Sequence, residues 1–194
     1  MKTYLSILII ASFLLQSCQN DENLGDNYHV LSGYEAKDIG YPYGAIIYKS
    51  NQKYSFKEVI IYSDVIAYKS DDTYIIILQK PNKEIMRNII IDNIKYLSNK
   101  KNVEKIEIQF PHGNINSKNL YYQLDSLTKI SLDSSISYNE MANSILEREP
   151  FYKNQFRQTE NYFVIDKQKT VIKGPLNLKE FIRLKEEKNI DLEF

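Results

Sequence analysis

The sequence predicts a single α+β domain in which helices pack on one face of an antiparallel sheet. The first half of the chain contains short runs of Ile, Val and Tyr divided by turn residues, which is typical of an antiparallel meander. The middle has apolar residues at helical spacing. The last part predicts a hairpin followed by a helix, so we expect strands from both ends of the chain to join in one sheet.

The N-terminal meander is predicted over residues 28–80. Its strands are divided by the loop 40–44, by Asn51-Gln52 and by Asp71-Asp72, residue types that favour turns. Asp71-Asp72 between two apolar runs indicates a hairpin, and Asp64 indicates a bend in the long third strand. The four predicted strands cover 28–31, 45–50, 58–70 and 73–80.

Residues 81–158 predict helices and one further strand. Ile90 and Ile94 belong to a series of apolar residues at helical spacing. Ser137, with Glu140 three residues later, predicts a capping box at the start of a helix. The predicted elements are helices over 83–98, 117–129 and 137–147 and a strand over 102–110.

The C-terminal residues predict a hairpin and a helix that form one unit. Gly174-Pro175 ends the second strand, and Asn177 is the expected N-cap of the helix, with Glu180 completing a capping box. Asn189 can take the left-handed conformation, and the apolar Ile190 after it favours a Schellman ending. The two strands cover 162–166 and 170–174.

The N-terminus has the order of a secretory signal, with Lys2 before an apolar run over 4–15. As a helix this run would rise only about 18 Å, short of the roughly 30 Å hydrocarbon core, so a permanent transmembrane span is not expected. The next residues complete the sequence Leu15-Gln16-Ser17-Cys18, which resembles the lipobox of bacterial lipoproteins. The resemblance implies that the signal peptide 1–17 is removed and that the Cys18 thiol is acylated.

Acylation of Cys18 would place the protein in the cell envelope, because the lipid on Cys18 would insert into the membrane. Residues 18–27 then form a flexible tether, and residues 28–194 form the single domain. Acidic residues after Cys18 resemble surface-export signals, so the predicted location is the outer membrane, at its periplasmic face or on the cell surface. Because Cys18 is the single cysteine, the lipidated chain cannot form disulfides or use a cysteine nucleophile. A buried core cysteine after an uncleaved segment is the alternative.

The C-terminal unit carries a second resemblance. Together with residues 25–28, residues 162–191 resemble a family of small bacterial lipoproteins without an assigned function, recognised by a Tyr-x-Ile/Val-Asp strand and a following Gly-Pro-Leu-x-x-x-Glu-Phe. The resemblance implies a fold and a location in the cell envelope, and it implies no reaction. Residues 81–158 are longer than the middle part of that family, so their helices are interpreted as an insertion within the domain. The matching residues are Tyr162, Val164, Ile165, Asp166, Gly174, Pro175, Leu176, Glu180 and Phe181.

Composition and motifs argue against several classes of function. The 25 basic and 25 acidic side chains leave no net charge, so nucleic acid is not an expected partner. The two histidines, His29 and His112, have no second ligand at metal-binding spacing. Since no phosphate loop, dinucleotide motif or nucleophile motif is present, we predict no metal and no cofactor.

The predicted binding residues are Tyr41 and Tyr43, which flank Pro42 in the loop 40–44, and His112 in the turn after residue 110. Tyrosine rings suit protein interfaces and sugar faces, although packing between strands would explain them as well. The first hypothesis is a non-enzymatic envelope lipoprotein that binds an envelope protein or a glycan. An immunity-type lipoprotein is a narrower form of it. An envelope hydrolase with a site around His112 and a purely structural lipoprotein are the alternatives.

Overall fold

The fold has two antiparallel sheets with helices outside both of them, which confirms the α+β class. The computed structural model describes residues 23–56, 58–99 and 137–194. The strands are β1 (Asn23–Gly25), β2 (Tyr28–Leu31), β3 (Ile46–Lys49), β4 (Glu58–Ile61), β5 (Val65–Ser70), β6 (Tyr74–Gln79), β7 (Asn161–Asp166) and β8 (Val171–Leu176). The helices are α1 (Gly33–Asp38), α2 (Lys83–Asn99), α3 (Tyr138–Arg148), α4 (Pro150–Gln155) and α5 (Leu178–Lys188).

The strands are divided between two sheets, where the sequence analysis expects one. Sheet 1 has the order β1-β2-β3-β4 and sheet 2 the order β5-β6-β7-β8. The division falls inside the predicted strand 58–70, because β4 ends at Ile61 and β5 begins at Val65. Asp64 lies between them, and its backbone N–H and C=O bond to the backbone of Lys80 at 2.9 and 2.8 Å. The bend predicted at Asp64 is therefore the crossing from one sheet to the other.

The two sheets pack face to face because both faces of each sheet are apolar. In β6, Ile75 and Ile77 contact sheet 1 while Ile76 points to the opposite side, and Ile165 and Val164 of β7 repeat this alternation. A sheet with two apolar faces must be covered on both of them. The cluster between the sheets consists of Leu24, Tyr28, Val30, Ile47, Ile60, Ile61, Val65, Ile75, Ile77, Phe163 and Ile165.

Helices cover both outer faces, so the domain has four layers, whereas helices were expected on one face. The helices α2, α3 and α4 cover sheet 1 through a cluster in which Ile90 and Ile145 pack with Tyr48. The helix α5 covers sheet 2, where Phe181 packs with Ile76. The second helical layer follows from the division of the strands, since sheet 2 also has an outer apolar face to bury.

The C-terminal hairpin and helix form as predicted, except that Gly174-Pro175 does not end the second strand, because β8 continues to Leu176. The Asn177 side chain accepts a hydrogen bond from the Glu180 N–H, and the Glu180 carboxylate accepts one from the Asn177 N–H, both at 2.9 Å. At the other end Asn189 is left-handed, with φ 52°. The Ile190 N–H donates to the Lys185 carbonyl at 2.9 Å, which is the bond of a Schellman ending.

Gly174 and Pro175 form a bulge in β8. Gly174 has φ +143°, and a Cβ atom at this position would lie 2.3 Å from Cδ1 of Phe163, so glycine is required. Pro175 has no N–H to donate, which is tolerated at a bulge in an edge strand. Gly174 and Pro175 of the Gly-Pro-Leu motif therefore have a structural role in β8.

Three short elements, β1, α1 and α4, are not predicted from the sequence. The strand β1 pairs with β2 through a turn at Asp26 and Asn27, whose φ angles are 50° and 64°, so it lies within the segment predicted as a tether. The helices α1 and α4 have six residues each, too few to show a periodic pattern. The predicted strand 102–110 and helix 117–129 lie outside the described residues.

Lys167 connects the N-terminal strand to sheet 2 from a buried position, with 6 % of the residue exposed. Its ammonium donates to the Leu24 carbonyl at 2.8 Å, to the Asp71 carbonyl, and to Oγ of Ser70 at 3.3 Å. These three acceptors match the three N–H bonds of the ammonium, which offsets the cost of burying the charge. The position of β1 therefore depends on a side chain from the β7–β8 turn.

The substitution Lys167→Met should lower the free energy of unfolding by about 1–3 kcal/mol, because it keeps the aliphatic stem and removes the charged donor from the Leu24 and Asp71 carbonyls. Urea denaturation of the mature chain measures this change. The control is Lys169→Met in the same turn, since Lys169 is exposed and its ammonium lies 3.8 Å from the Asp166 carboxylate. That control should change stability by less than about 0.5 kcal/mol. Equal midpoints for the two variants would contradict the role given to Lys167.

Candidate functional site

Tyr41 and Tyr43 belong to a group of aromatic side chains on the outer face of sheet 1. The Tyr41 ring lies 5.3 Å from Tyr43, edge to face, and 4.6 Å from Phe56. Phe56 in turn lies 5.0 Å from Tyr48, which is fully buried. We call Tyr41, Tyr43, Tyr48, Tyr54 and Phe56 the aromatic cluster. Tyr43 is the member of this cluster whose hydroxyl reaches a helix.

A hydrogen bond connects Tyr43 to helix α2. The Tyr43 hydroxyl donates to Oδ2 of Asp92 at 2.7 Å. Beside this bond is an open groove of about 530 Å³ that is bounded by the loop, α2 and the start of α3. We call it the Tyr43 groove. Its polar and aromatic lining includes Tyr43, Asn88, Asp92, Lys95, Tyr138 and Asn139.

Helix geometry brings the lining residues of the Tyr43 groove together. Asn88, Asp92 and Lys95 lie at positions i, i+4 and i+7 of α2 and therefore share one face. Tyr138 and Asn139 are the first two residues of α3. The start of α3 is held by the predicted capping box, in which the Ser137 hydroxyl accepts from the Glu140 N–H at 3.3 Å. The reciprocal bonds from Ser137 lower the pKa of the Glu140 carboxyl.

The Tyr43 hydroxyl is a neutral donor at neutral pH. Burial raises the pKa of Tyr43 to about 12, and the hydrogen bond to Asp92 and the negative charge of Asp92 act in the same direction. The groove thus combines a phenol, a carboxylate, two side-chain amides and an ammonium. Tyr138 adds an aromatic ring that is 40 % exposed. Such a surface can hydrogen-bond hydroxyl groups and stack on an apolar face of the same ligand.

Of the predicted site residues within the described ranges, Tyr41 does not line the Tyr43 groove. Cys18 and His112 lie outside the described residues, so the hydrolase alternative stays a prediction. His29 packs on Tyr48 with ring centroids 5.2 Å apart, and its Nε2 lies 3.0 Å from the Ser50 carbonyl oxygen. The contacts of His29 are therefore those of a side chain that stabilises the fold.

The described ranges contain neither a metal-binding cluster nor a membrane-spanning helix. Within residues 23–56, 58–99 and 137–194, no group of three or more His, Cys, Asp or Glu side chains is placed to hold a metal ion. None of the helices in those ranges has both the length and the apolar character needed to cross a bilayer.

A buried amide network was not anticipated from the sequence. The Gln155 amide donates to Oε1 of Gln79 at 2.6 Å, and the Asn161 amide donates to the same oxygen at 3.0 Å. The Gln79 amide donates to the Tyr62 carbonyl at 2.7 Å. These bonds join α4 to the ends of β6, β7 and β4, so the network has a structural role. Isolated amides in apolar runs give no signal of such a network in the sequence.

The groove residues on α2 and α3 were also missed, for a different reason. Asn88, Asp92 and Lys95 form a polar row opposite the apolar face of α2, which in a sequence is typical of a solvent-exposed face. These polar residues line a groove only together with Tyr43 and Tyr138, which come from distant parts of the chain.

Stability should fall as the pH rises from 10 towards about 12, because burial raises the pKa of Tyr43 to about 12 from the ordinary value of 10.0. The folded state then holds its proton more tightly than the unfolded state, so the contribution of Tyr43 is fully present below pH 10.0 and is lost through the folded-state pKa. Burial also raises the pKa values of Tyr41, Tyr62 and Tyr152.

The change that tests this prediction is Tyr43→Phe, followed by urea denaturation across the alkaline range. The loss of stability with rising pH should be smaller in the variant, because it has one fewer phenol to ionise. Lysine ionisation affects both proteins equally and cancels in the difference between them. The same pH dependence in both proteins would contradict the raised pKa of Tyr43.

No protein-family model, curated protein or solved structure matches this chain. The resemblance of residues 162–191 to a lipoprotein family and that of Leu15–Cys18 to a lipobox therefore stay predictions, and the function is argued from the residues alone.

Proposed function

We propose that the protein is a lipid-anchored, non-enzymatic binding protein of the cell envelope that holds a glycan in the Tyr43 groove. The observation that carries the proposal is the meeting of two tyrosines, two amides, one carboxylate and one ammonium around one open groove. Three separate parts of the chain contribute these groups, namely the loop 40–44, α2 and the start of α3.

The chemistry of the groove suits a ligand with many hydroxyl groups. Asn88 and Asn139 each offer an amide donor and an amide acceptor, Asp92 accepts, and Lys95 donates. Sugars present hydroxyls that act both as donors and as acceptors, together with a flat face of C–H groups. The partly exposed ring of Tyr138 is suited to such a face. Seven of the nine residues that line the groove have a polar group in their side chain, so hydrogen-bonding partners for such a ligand are present on all three of its sides.

The lipid anchor rests on the sequence Leu15-Gln16-Ser17-Cys18, whose acylated cysteine would carry two or three acyl chains. Each buried CH₂ adds about 0.8 kcal/mol of membrane affinity, so several chains on one residue make a durable anchor. The expected location of the protein is the outer membrane, at its periplasmic face or at the cell surface.

Binding to the groove is tested with Tyr138→Ala on an array of envelope oligosaccharides, using the mature chain. The variant should bind about tenfold more weakly, because it removes the stacking ring and leaves the polar groups of the groove in place. The matched control is Tyr54→Ala. Tyr54 is exposed to a similar degree, at 44 % against 40 % for Tyr138, and it lies outside the groove with its hydroxyl on Glu35.

The control should bind as strongly as the unchanged protein. The glycan proposal would be overturned if no oligosaccharide were retained, or if Tyr54→Ala and Tyr138→Ala lost equal affinity. If the unchanged protein captured a protein from purified envelopes and Tyr138→Ala did not, the ligand of the groove would be a protein instead of a glycan.

Membrane anchoring is tested by Cys18→Ala in cells that process lipoproteins. The unchanged protein should sediment with membranes and carry the mass of a diacylglycerol group, while the variant should appear in the aqueous fraction. A variant that still sediments with membranes after a high-salt wash would refute the anchor.

A further inference from the structure

A second open groove lies on the outer side of sheet 2. It has a volume of about 640 Å³ and is bounded by α5, by residues 190–194 and by Tyr162 of β7. We call it the α5 groove. The Tyr43 groove lies beside α2 and α3, which cover sheet 1, so the two grooves are on opposite outer layers of the domain.

Three aromatic rings contribute to the lining of the α5 groove. The rings of Tyr162 and Phe181 are stacked with their centroids 4.9 Å apart, and the Phe194 ring lies 5.8 Å from Phe181 and 6.3 Å from Tyr162. Leu178 and Ile182 lie one turn apart on α5, and they are 53 % and 47 % exposed. Large apolar groups that are exposed around one concave site indicate a binding surface.

Contacts of the C-terminal residues fix the shape of the α5 groove. Ile190 is buried and packs with Phe181 in the cluster on this side of sheet 2. The Lys185 ammonium donates to Oε1 of Glu193 at 2.6 Å and lies 5.8 Å from the centroid of the Phe181 ring. The groove is therefore formed before a partner binds, which lowers the entropic cost of binding.

The charged residues that line the α5 groove are mostly acidic. Among the lining residues that the structure describes, Lys185 has an ammonium group, and Glu186, Asp191 and Glu193 have carboxylates. One positive and three negative groups leave two negative charges. Because Lys185 is paired with Glu193, this excess comes from Glu186 and Asp191.

We propose that the α5 groove binds a segment of a partner protein in which basic residues alternate with apolar residues. An apolar lining with charged groups beside it is the composition of a protein interface, and the excess negative charge is complementary to lysine or arginine. The Lys185 ammonium beside Phe181 is an example, within the groove itself, of a cation held by a ring and a carboxylate.

The size of α5 sets the length of the segment. Its 11 residues extend over about 17 Å, which is the length of about five residues of extended chain. The Tyr43 groove contains one carboxylate, Asp92, and one ammonium, Lys95, so its described lining gives no preference for a basic ligand. Binding in the α5 groove is separate from binding of a glycan and does not depend on the lipid anchor.

The test uses the mature chain and an array of pentapeptides in which lysine, glutamine or glutamate alternates with leucine or phenylalanine. The ionic strength is about 0.15 M, so that charges more than about 8 Å apart are largely screened. Lysine peptides should bind about tenfold more tightly than glutamate peptides, with glutamine peptides between them. The proposal would be overturned if no pentapeptide were retained, or if the lysine and glutamate peptides bound equally.

The role of charge is tested with Glu186→Lys and its matched control Glu187→Lys, using fluorescence anisotropy of a labelled lysine peptide. The two residues are adjacent and exposed on α5, and both changes alter the net charge equally, but Glu187 does not line the groove. Glu186→Lys should weaken binding about fivefold, because an attraction becomes a repulsion, and Glu187→Lys should change it less than about twofold. Equal losses in the two variants would refute binding in the groove.

The apolar contact is tested with Ile182→Ser, and the control is Ile39→Ser. Ile39 is 44 % exposed, against 47 % for Ile182, and it lies at the end of α1, outside the groove. Ile182→Ser should weaken binding of the lysine peptide about fivefold, whereas Ile39→Ser should leave it unchanged. Analytical ultracentrifugation of the protein alone tests a different occupant. A dimer that Ile182→Ser dissociates would assign the groove to a second copy of the chain and would overturn the proposal.

Discussion

The architecture depends on the apolar character of both faces of β6. Ile75, Ile76 and Ile77 are consecutive and have no exposed surface, so alternate side chains point to opposite layers. Burying three such residues contributes roughly 5–9 kcal/mol relative to exposure, which is comparable with the whole stability of a typical domain. Sheet 1 covers one side of this strand and α5 the other. Sheet 1 then has its own outer face to bury, which places α2 to α4 in a fourth layer.

Local features were predicted well because a few adjacent residues determine them. Asn177 and Glu180 close their capping box through each other, and Asn189 ends α5 through its own backbone conformation. The division into two sheets is not local. Asp64 predicts a bend in a strand, but the direction taken after the bend depends on the pairing with Lys80 and on the faces to be covered. One strand cannot indicate whether its continuation stays in the same sheet.

The candidate site was predicted in part, for a similar reason. The loop residues Tyr41 and Tyr43 are predicted from the sequence because tyrosine rings suit protein interfaces and sugar faces. Their separate roles follow only from the fold, which packs Tyr41 against Phe56 and directs the Tyr43 hydroxyl to Asp92, 49 residues away. Tyrosine content alone could not separate the two roles, since Tyr48 and Tyr152 are fully buried while Tyr138 is partly exposed.

The bulges in β5 and β8 affect how the protein behaves when many copies are crowded together. Among the described strands these two are the edges of sheet 2, and an edge with free backbone groups can pair with a neighbouring chain. Pro175 offers no N–H at the β8 edge, and the extra residue Ile66 interrupts regular pairing on β5. Proteins held on a two-dimensional surface meet far more often than proteins in solution. The same bulges that shape sheet 2 would then oppose the growth of a continuous sheet between neighbouring copies.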